Sequence, residues 1–236
     1  MNAPVPAGEG ERLDALRRYA ILDTPPERDF DELVSLASQI CRTPIAAISL
    51  IDADRQWFKA KVGLTATQTP RAIAFCAHAI VQPDLFVVRD ALADARFSTN
   101  PLVIADPHVR FYAGMPLIAS NGHALGTLCV IDRVPRELTQ EQAEALRALS
   151  RQVVSQLELR RTRTDLAQTT TESKTAQEAL RESEEFNTRM VEGSQDCIKV
   201  LDLDGRLLSM NAGGMAVLEP SLGPHPARTR SKRYCG

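Results

Sequence analysis

The sequence contains no apolar run long enough to cross a lipid bilayer. Its longest run, PIAAISLI from Pro44 to Ile51, has the length of a β-strand, whereas a membrane-spanning helix needs about 20 consecutive apolar residues. The N-terminal segment, MNAPVPAGEGERLDALRRY, also has no apolar centre of the kind that signal peptides carry. We therefore expect a cytoplasmic protein with no membrane partner.

Neither the charge nor the cysteines indicate a specialised partner. A formal net charge of −2 creates no field that would attract nucleic acid or an anionic membrane. The five cysteines lie far apart and include no C-x-x-C pair, which excludes a disulfide framework and a zinc ribbon. We expect reduced, mostly buried thiols and no nucleic-acid partner.

Aromatic residues are sparse, at 5%, but a hydrophobic content of 44% is sufficient for one core. Two helices are predicted to contribute to it, the first over residues 11–21. The second is expected to begin after Thr24, an N-cap residue, with two prolines in its first turn and Glu27 at the capping-box position. Its apolar stripe follows the i, i+3, i+4, i+7 pattern of a packed helix and comprises Phe30, Leu33, Val34, Ala37, Ile40 and Cys41.

From Pro44 onwards the periodicity is that of β-strands. Strands are predicted over residues 46–52, 56–64 and 85–91, a helix over 72–81, and a short helix with a loop between 92 and 110. Residues 111–120 and 123–133 are predicted to form a hairpin around Asn121-Gly122, a dipeptide that favours a two-residue turn with positive φ at both positions. This order predicts an α+β fold with one antiparallel sheet covered by helices.

A long helix is predicted to follow, because neither Pro nor Gly occurs between Thr139 and Gly193. It would span roughly 50 residues, or about 75 Å. Apolar and small residues recur in it at heptad spacing, which predicts a weak coiled coil and a parallel homodimer through residues 140–185; a solvated single helix is the alternative. The seam residues are Leu159, Leu166, Ser173 and Leu180, with Thr162, Thr169, Ala176 and Ser183 in the second seam position.

The C-terminal part begins with two predicted strands around Asp204-Gly205. A helix starts after them, and the chain then becomes rich in proline and basic residues. Residues 220–236 are predicted to be a disordered basic tail, and residues 1–8 a disordered N-terminal tail.

Nearly two thirds of the chain, from Glu11 to about Arg161, resembles a bacterial GAF domain of multidomain signalling proteins of the sensor histidine kinase or diguanylate cyclase type. The resemblance rests on RLDALRRYAILDTPPERDFDELVSLASQI, PIAAISLIDADRQWFKAKVGL, AFCAHAI, FVVRDALADARFSTNPLV, FYAGMPL and ALGTLCVIDRVPREL, in that order. Residues 183–219 resemble the first third of a PAS domain. We thus assign residues 9–160 to a GAF domain, 161–185 to a coiled-coil signalling helix and 186–219 to a partial PAS domain.

The resemblance implies a sheet whose one face closes on a small molecule, such as a cyclic nucleotide, a tetrapyrrole or haem, or a domain that mediates dimers. The helix at residues 72–81 would lie over the sheet, with the loop before the hairpin on the other side. The candidate ligand-binding residues are then Cys76, His78, Arg110, Phe111 and Tyr112. A cavity filled by side chains is the alternative, and the sequence requires no cofactor.

Other chemistry at the Cys76-Ala77-His78 segment is disfavoured. Residues two apart on a helix point roughly 200° from each other, so Cys76 and His78 would not chelate one metal. Bilin attachment in related domains uses a cysteine directly beside a histidine, and Ala77 intervenes here. Cys41 and Cys129 are assigned to core elements, which leaves Cys76 without a resolving thiol for methionine sulfoxide reduction.

The predicted function is a sensory or regulatory module that binds a small ligand or dimerises and transmits a signal through its helix, in two-component or cyclic-dinucleotide signalling. The alternatives are a truncated histidine kinase and a thiol-based free methionine sulfoxide reductase. The sequence has no phosphoacceptor-histidine helix, glycine-rich ATP lid or G-G-D/E-E-F run. We therefore expect no catalytic residues, no bound metal and no enzymatic activity, and a shortened form of a longer sensor.

Overall fold

A six-stranded antiparallel sheet organises the first of two units in the computed structural model, which describes residues 3–218. The first unit ends at Leu166 and the second begins at Ala167. The order across the sheet is β3-β2-β1-β6-β5-β4, which confirms the predicted α+β fold. The strands are β1 Ile45–Ile51, β2 Arg55–Val62, β3 Gln68–Pro70, β4 Phe86–Val88, β5 Phe111–Ile118 and β6 Ala124–Asp132.

Three helices cover the first face of the sheet: α1 Glu9–Arg18, α2 Arg28–Cys41 and the beginning of α5 Gln140–Glu192. The predicted stripe of α2 faces this core, with four of its six members buried. Ile40 is the exception, since 40% of it is exposed. The buried members follow one another at i, i+4, i+7 and i+11, and Ile40 lies at the flank of that line.

The start of α2 differs from the prediction. The helix begins at Arg28, and its N-cap Glu27 makes no side-chain capping bond. Thr24 instead donates to the carbonyl of Ile21 (2.7 Å) and accepts from Lys59 Nζ (2.9 Å). Lys59 is on β2 with its side chain fully buried. Its ammonium binds the side chains of Thr24 and Glu27, which were predicted to cap the helix.

Shorter elements cover the second face. A 3-10 turn at Arg71–Ile73 leads to α3 Phe75–Ala79, and α4 Pro101–Ile104 follows β4. The single helix predicted over residues 72–81 is therefore wrong in length. Ala74, at φ −78° and ψ 124°, is extended and separates the turn from α3.

The loop between β5 and β6 is longer than the predicted two-residue turn. Ala119 N–H donates to the carbonyl of His123, and Gly122 N–H to that of Ala119, both at 2.9 Å. Gly122 has a φ of 84°, whereas Asn121 does not have positive φ. The connection is thus a three-residue loop with glycine in the left-handed position, the next commonest hairpin type.

Helix α5 confirms the prediction of a long helix: it is 53 residues long. Thr139 and Gln142 form the expected reciprocal capping box, at 3.1 and 3.3 Å. The residues that α5 buries against the first face are spaced by four, three and four, as one helical stripe requires, and are Leu146, Ser150, Val153 and Leu157. Among residues 3–218, no helix has the length and apolarity needed to span a membrane.

The second unit contains the predicted pair of C-terminal strands. Strands β7 Lys199–Leu201 and β8 Leu207–Met210 are antiparallel, and α6 Ala212–Leu218 follows. Buried Asn211 joins these pieces, since its side-chain amide donates to three backbone carbonyls and its oxygen accepts from Ile198 N–H. The partial PAS domain stays a prediction, and the basic tail lies outside the described residues.

Candidate functional site

A cavity of about 450 Å³ lies beneath α3 and α4, on the second face of the sheet. Its wall is mostly apolar, with a few polar groups, which is the usual character of a small-ligand pocket. The apolar members include Phe58, Leu64, Phe75, Leu102, Val109, Tyr112 and Ile131, and the polar ones are Gln56, Thr65, Thr69, Cys76, Asp106 and Arg133.

Two polar atoms in this wall have no partner. Within residues 3–218, Gln56 Oε1 and Thr69 Oγ1 are buried and make no hydrogen bond. The two residues face each other directly across β2 and β3, so the unsatisfied atoms lie on one part of the wall. Neither atom is occupied by a group from the described part of the protein, so a guest that donates hydrogen bonds here would bind both directly.

A second depression, of about 620 Å³, has an apolar lining with four charged residues, Arg89, Asp90, Asp94 and Glu137. These charges already have protein partners: Asp90 binds Arg110, and Glu137 binds Arg89 at 2.6 Å. The cavity beneath α3 is therefore the better candidate for a ligand site.

Cys76 lines this cavity from α3 and belongs to a buried polar cluster. Tyr112 donates its hydroxyl to Cys76 Sγ at 3.2 Å, and Cys129 Sγ is 3.8 Å away. The hydroxyls of Ser49 and Thr127 lie 3.1 Å from each other beside the two thiols. All five side chains are almost completely buried, so their interactions are not weakened by water.

Strand register explains this cluster. Ser49 pairs with Thr127 and Ala47 with Cys129 across β1 and β6, and alternate residues of a strand face the same side. Gly114 on β5 leaves the space that the Tyr112 ring needs, because a Cβ at position 114 would lie 2.1 Å from the Tyr112 hydroxyl oxygen. The sheet thereby directs both a thiol and a phenol at α3.

The surroundings shift the pKa values of the two thiols in opposite directions. Burial by itself raises the pKa of Cys76, but hydrogen bonds from Cys129, Ser49, Thr127 and Tyr112 outweigh it and lower that pKa to about 7. The pKa of Cys129 is raised well above its ordinary value, by its hydrogen bond to Cys76 and by burial. Cys76 therefore ionises more readily than Cys129.

Of the five predicted site residues, Cys76 and Tyr112 line the cavity. His78 instead packs edge-on against Phe97, with ring centroids 4.8 Å apart, and burial followed by the charge of Arg96 lowers its pKa. Arg110 forms a bidentate pair with Asp90, at 2.7 and 2.8 Å. Phe111 is buried in the core of the opposite face, as the alternation of side chains along β5 requires.

The assignment of Cys76 as a thiol without a partner is wrong. Cys76 and Cys129 are 53 positions apart, yet their sulfurs are in contact. Cys41 does lie in the core of the first face, where burial raises its pKa to about 11. Sequence reasoning also missed Gln56 and Thr69, because their juxtaposition arises from the pairing of β2 with β3 and not from a pattern within either strand.

A curated relative shares 41% identity with the chain over 155 residues, which are 65% of this chain and 26% of the relative. It is named as a cyclic di-GMP phosphodiesterase of Pseudomonas aeruginosa. The expectation of a protein without enzymatic activity is thus wrong on this comparison, since the relative is named as an enzyme. The chain spans only about a quarter of that relative's length.

One solved structure shows the same fold at low identity, and a second is similar to this chain. A domain of a provisionally named two-component sensor histidine kinase from Sinorhizobium meliloti 1021 is 17% identical, with a TM-score of 0.50 over 62% of this chain and 99% of that chain. The GAF domain of an Acinetobacter phosphoenolpyruvate-protein phosphotransferase is 18% identical, with a TM-score of 0.48 over 63% and 93%. The GAF domain family itself matches residues 25–157, more than half of the sequence. The chain therefore belongs to the GAF domain family.

Proposed function

We propose that the chain is a sensory module of cyclic di-GMP signalling, which binds a small ligand beneath α3 and transmits the change to α5. The observation that carries the proposal is the cavity with its two unsatisfied atoms, Gln56 Oε1 and Thr69 Oγ1. The name of the relative supports the signalling pathway. We further propose that the module regulates a phosphodiesterase of that kind in a longer protein.

The wall of the cavity favours a particular ligand chemistry. Aromatic faces of Phe58, Phe75 and Tyr112 suit a flat, largely apolar guest. Gln56 Oε1 can only accept a hydrogen bond, so the guest should present an N–H or O–H group at that point. Asp106 and Arg133 supply one charge of each sign to the lining.

A continuous set of contacts connects the cavity to α5. Gln56 and Phe58 line the cavity from β2, and Lys59 on the same strand donates to Glu27 at 2.6 Å. Glu27 also accepts from Arg160 of α5, at 2.9 Å. A ligand that shifts β2 would therefore shift an ion pair that holds α5, which gives the coupling a physical route.

A second contact holds the same part of the helix. Tyr19 donates its hydroxyl to Glu158 at 2.7 Å, and Arg160 donates to the carbonyls of Tyr19 and Ala20 at 3.1 Å. These bonds join α5 to the connection between α1 and α2. The orientation of α5 as it leaves the domain thus depends on residues next to the sheet.

We propose that α5 pairs with α5 of a second copy, in a parallel homodimer through residues 140–185. Leu159 and Leu180 are 42% and 60% exposed in the single chain, at positions related by heptads, and a second helix would cover them. In the proposed division, with a GAF domain at 9–160, a signalling helix at 161–185 and a partial PAS domain at 186–219, this seam begins in the GAF domain and continues through the signalling helix.

Filling the mouth of the cavity should abolish ligand binding. Ala66 is exposed and lines the cavity, so an Ala66→Trp variant should block entry with little effect on folding. Native mass spectrometry and an absorption spectrum of the freshly purified full chain should show a bound small molecule in the wild type and none in the variant. Ala72→Trp, also exposed but outside the lining, is the matched control.

The ligand proposal fails if the wild-type chain carries no guest and no compound in a library of flat heteroaromatic donors raises its melting temperature. It fails equally if Ala66→Trp and Ala72→Trp bind the same compound with the same affinity.

Introducing charge into the helical seam should produce monomers. Light scattering of the wild-type chain at micromolar concentration should give twice the mass of one chain, and Leu180→Glu combined with Leu159→Glu should give the mass of one. Thr171→Glu combined with Thr175→Glu adds the same two charges at exposed positions outside the seam and should leave the dimer intact. A monomeric wild type would contradict the proposed dimer.

A further inference from the structure

The two buried thiols beneath α3 are close enough to react with each other. Their sulfurs are 3.8 Å apart, whereas a disulfide requires about 2.05 Å, so an approach of roughly 1.8 Å would join them. The remaining described cysteines are placed differently: Cys41 lies in the core of the opposite face and Cys197 is exposed. The contact is thus specific to Cys76 and Cys129.

A small oxidant can reach only one member of the pair directly. Cys76 is part of the cavity wall, while Cys129 lies behind it on the central strand β6, where its sulfur is 3.5 Å from the carbonyl oxygen of Ala47. A cavity of about 450 Å³ accommodates a molecule the size of hydrogen peroxide easily, since a water occupies about 30 Å³.

We propose that Cys76 and Cys129 are a peroxide-reactive pair, in which Cys76 is oxidised through the cavity and Cys129 resolves it to a reversible intramolecular disulfide. The inference is independent of the proposed ligand and of the signalling pathway, because it depends only on the two sulfurs and their access.

The reaction proceeds in two balanced steps. The Cys76 thiolate attacks one oxygen of hydrogen peroxide, an S–O bond forms, the O–O bond breaks, and hydroxide leaves, giving a sulfenic acid on Cys76. The Cys129 sulfur then attacks Cys76 Sγ, the S–O bond breaks, and the proton of Cys129 leaves with the oxygen as water. The hydroxide takes up the proton that Cys76 released on ionising, so in total two thiols lose two electrons and one peroxide becomes two waters.

The cluster around Cys76 prepares it for the first step. The Tyr112 hydroxyl donates to the attacking sulfur at 3.2 Å, and the pKa of about 7 makes a large part of Cys76 thiolate at neutral pH. Cys41 provides the contrast within the same chain, because burial without such donors raises its pKa to about 11. Peroxide should therefore distinguish these two buried thiols strongly.

Formation of the disulfide would change both the cavity and the path to α5. The new bond joins α3, the roof of the cavity, to β6, the last strand before α5. It also takes Cys76 out of its hydrogen bond with Tyr112. The oxidised and reduced proteins thus differ at the residues that line the proposed ligand site.

The test uses the full chain with Cys197→Ser and Cys235→Ser, which removes one exposed thiol and one that lies outside the described residues. The protein is exposed to equimolar hydrogen peroxide, alkylated after denaturation, and analysed by intact mass and peptide mapping. We expect a loss of about 2 Da before alkylation, a single alkyl group after it where the reduced protein takes three, one linked peptide joining Cys76 to Cys129, and full reversal by dithiothreitol. Cys41 should remain alkylated and react at least about a hundredfold more slowly.

The rate at which peroxide oxidises Cys76 should rise about tenfold between pH 6 and pH 8, because the thiolate fraction of a thiol with a pKa near 7 rises by that factor. A Cys129→Ala variant should give a Cys76 sulfenic acid that dimedone traps, with no linked peptide. Loss of both thiols to sulfinic acid without linkage, or oxidation of Cys41 at the same rate as Cys76, would overturn the proposal. If Cys129→Ala does not fold, the linked peptide formed with Cys129 intact and the relative oxidation rates of Cys76 and Cys41 still decide the question.

Discussion

Replacing Leu146 with alanine is expected to lower the free energy of unfolding by about 3 kcal/mol. Leu146 is 0% exposed and belongs to the core formed by the first face of the sheet with α1, α2 and α5. The substitution removes apolar surface from that core and leaves a cavity, because side chains held at crystal-like density relax only partly. Urea unfolding of the full chain, followed by circular dichroism, measures the loss.

Leu36→Ala is the matched control for that prediction. Leu36 lies on α2, which covers the same face, but 45% of it is exposed. The identical change should therefore lower the free energy of unfolding by less than about 1 kcal/mol. Both variants are measured at the same protein concentration. Equal losses in the two variants would show that α5 does not pack on the sheet, and the proposed transmission through α5 would lose its basis.

The elements that could be predicted from sequence are those determined by neighbouring residues. A short β-branched, apolar run identified β1, alternation identified β2, and the capping residues Thr139 and Gln142 located the start of α5 to within a residue. Such signals are local, because a cap or an alternating run acts through residues only a few positions away. Whether such a signal predicts the element correctly therefore does not depend on the part of the molecule against which the element packs.

The start of α2 shows where local reasoning fails. Thr24 and Glu27 have the sequence of a helix cap, but both bind Lys59, a residue 35 and 32 positions away. A buried ammonium needs partners more than a helix end does, since water can satisfy an exposed helix end and cannot reach Lys59. Tertiary structure therefore overrode a correct local pattern.

The candidate site was predicted only in part for two separate reasons. Phe111 was grouped with its neighbours Arg110 and Tyr112, although successive residues of a strand point to opposite faces; the alternation rule alone would have removed it. The contact between Cys76 and Cys129 had no such signal. It depends on how α3 is placed over β6, which follows from the packing of the whole second face and not from spacing along the chain.

Replacing Lys59 with methionine is expected to destabilise the chain by about 2 kcal/mol, within the range for leaving buried acceptors without their donor. The Lys59 side chain is 0% exposed, and its ammonium donates to Thr24, Glu27 and the carbonyl of Pro25. Methionine preserves the length and the apolar stem but leaves these acceptors without their donor. Lys61→Met is the control, because Lys61 lies two residues further on β2 and its bonds are exposed.

The same variant should also change the acid sensitivity of the protein. Burial raises the pKa of Glu27, but hydrogen bonds from Lys59 and Arg160 outweigh it, so the pKa is lowered from 4.5. A carboxyl with a lowered pKa stabilises the fold above its unfolded pKa, and this stabilisation is lost as the pH falls through the folded value. Without Lys59 the folded pKa moves back towards 4.5, so unfolding free energies measured between pH 7 and pH 3 should fall less steeply in Lys59→Met than in the wild type.

A third measurement on Lys59→Met tests whether the ion pairs of Glu27 hold α5 in place. Glu27 binds both Lys59 and Arg160, so the loss of Lys59 should loosen the attachment of α5 without touching the helix itself. Hydrogen exchange of backbone amides in residues 150–166 should accelerate in Lys59→Met and remain unchanged in Lys61→Met. If exchange in this segment is the same in both variants, the ion pair at Glu27 does not hold α5, and a signal from the cavity must reach the helix by another route.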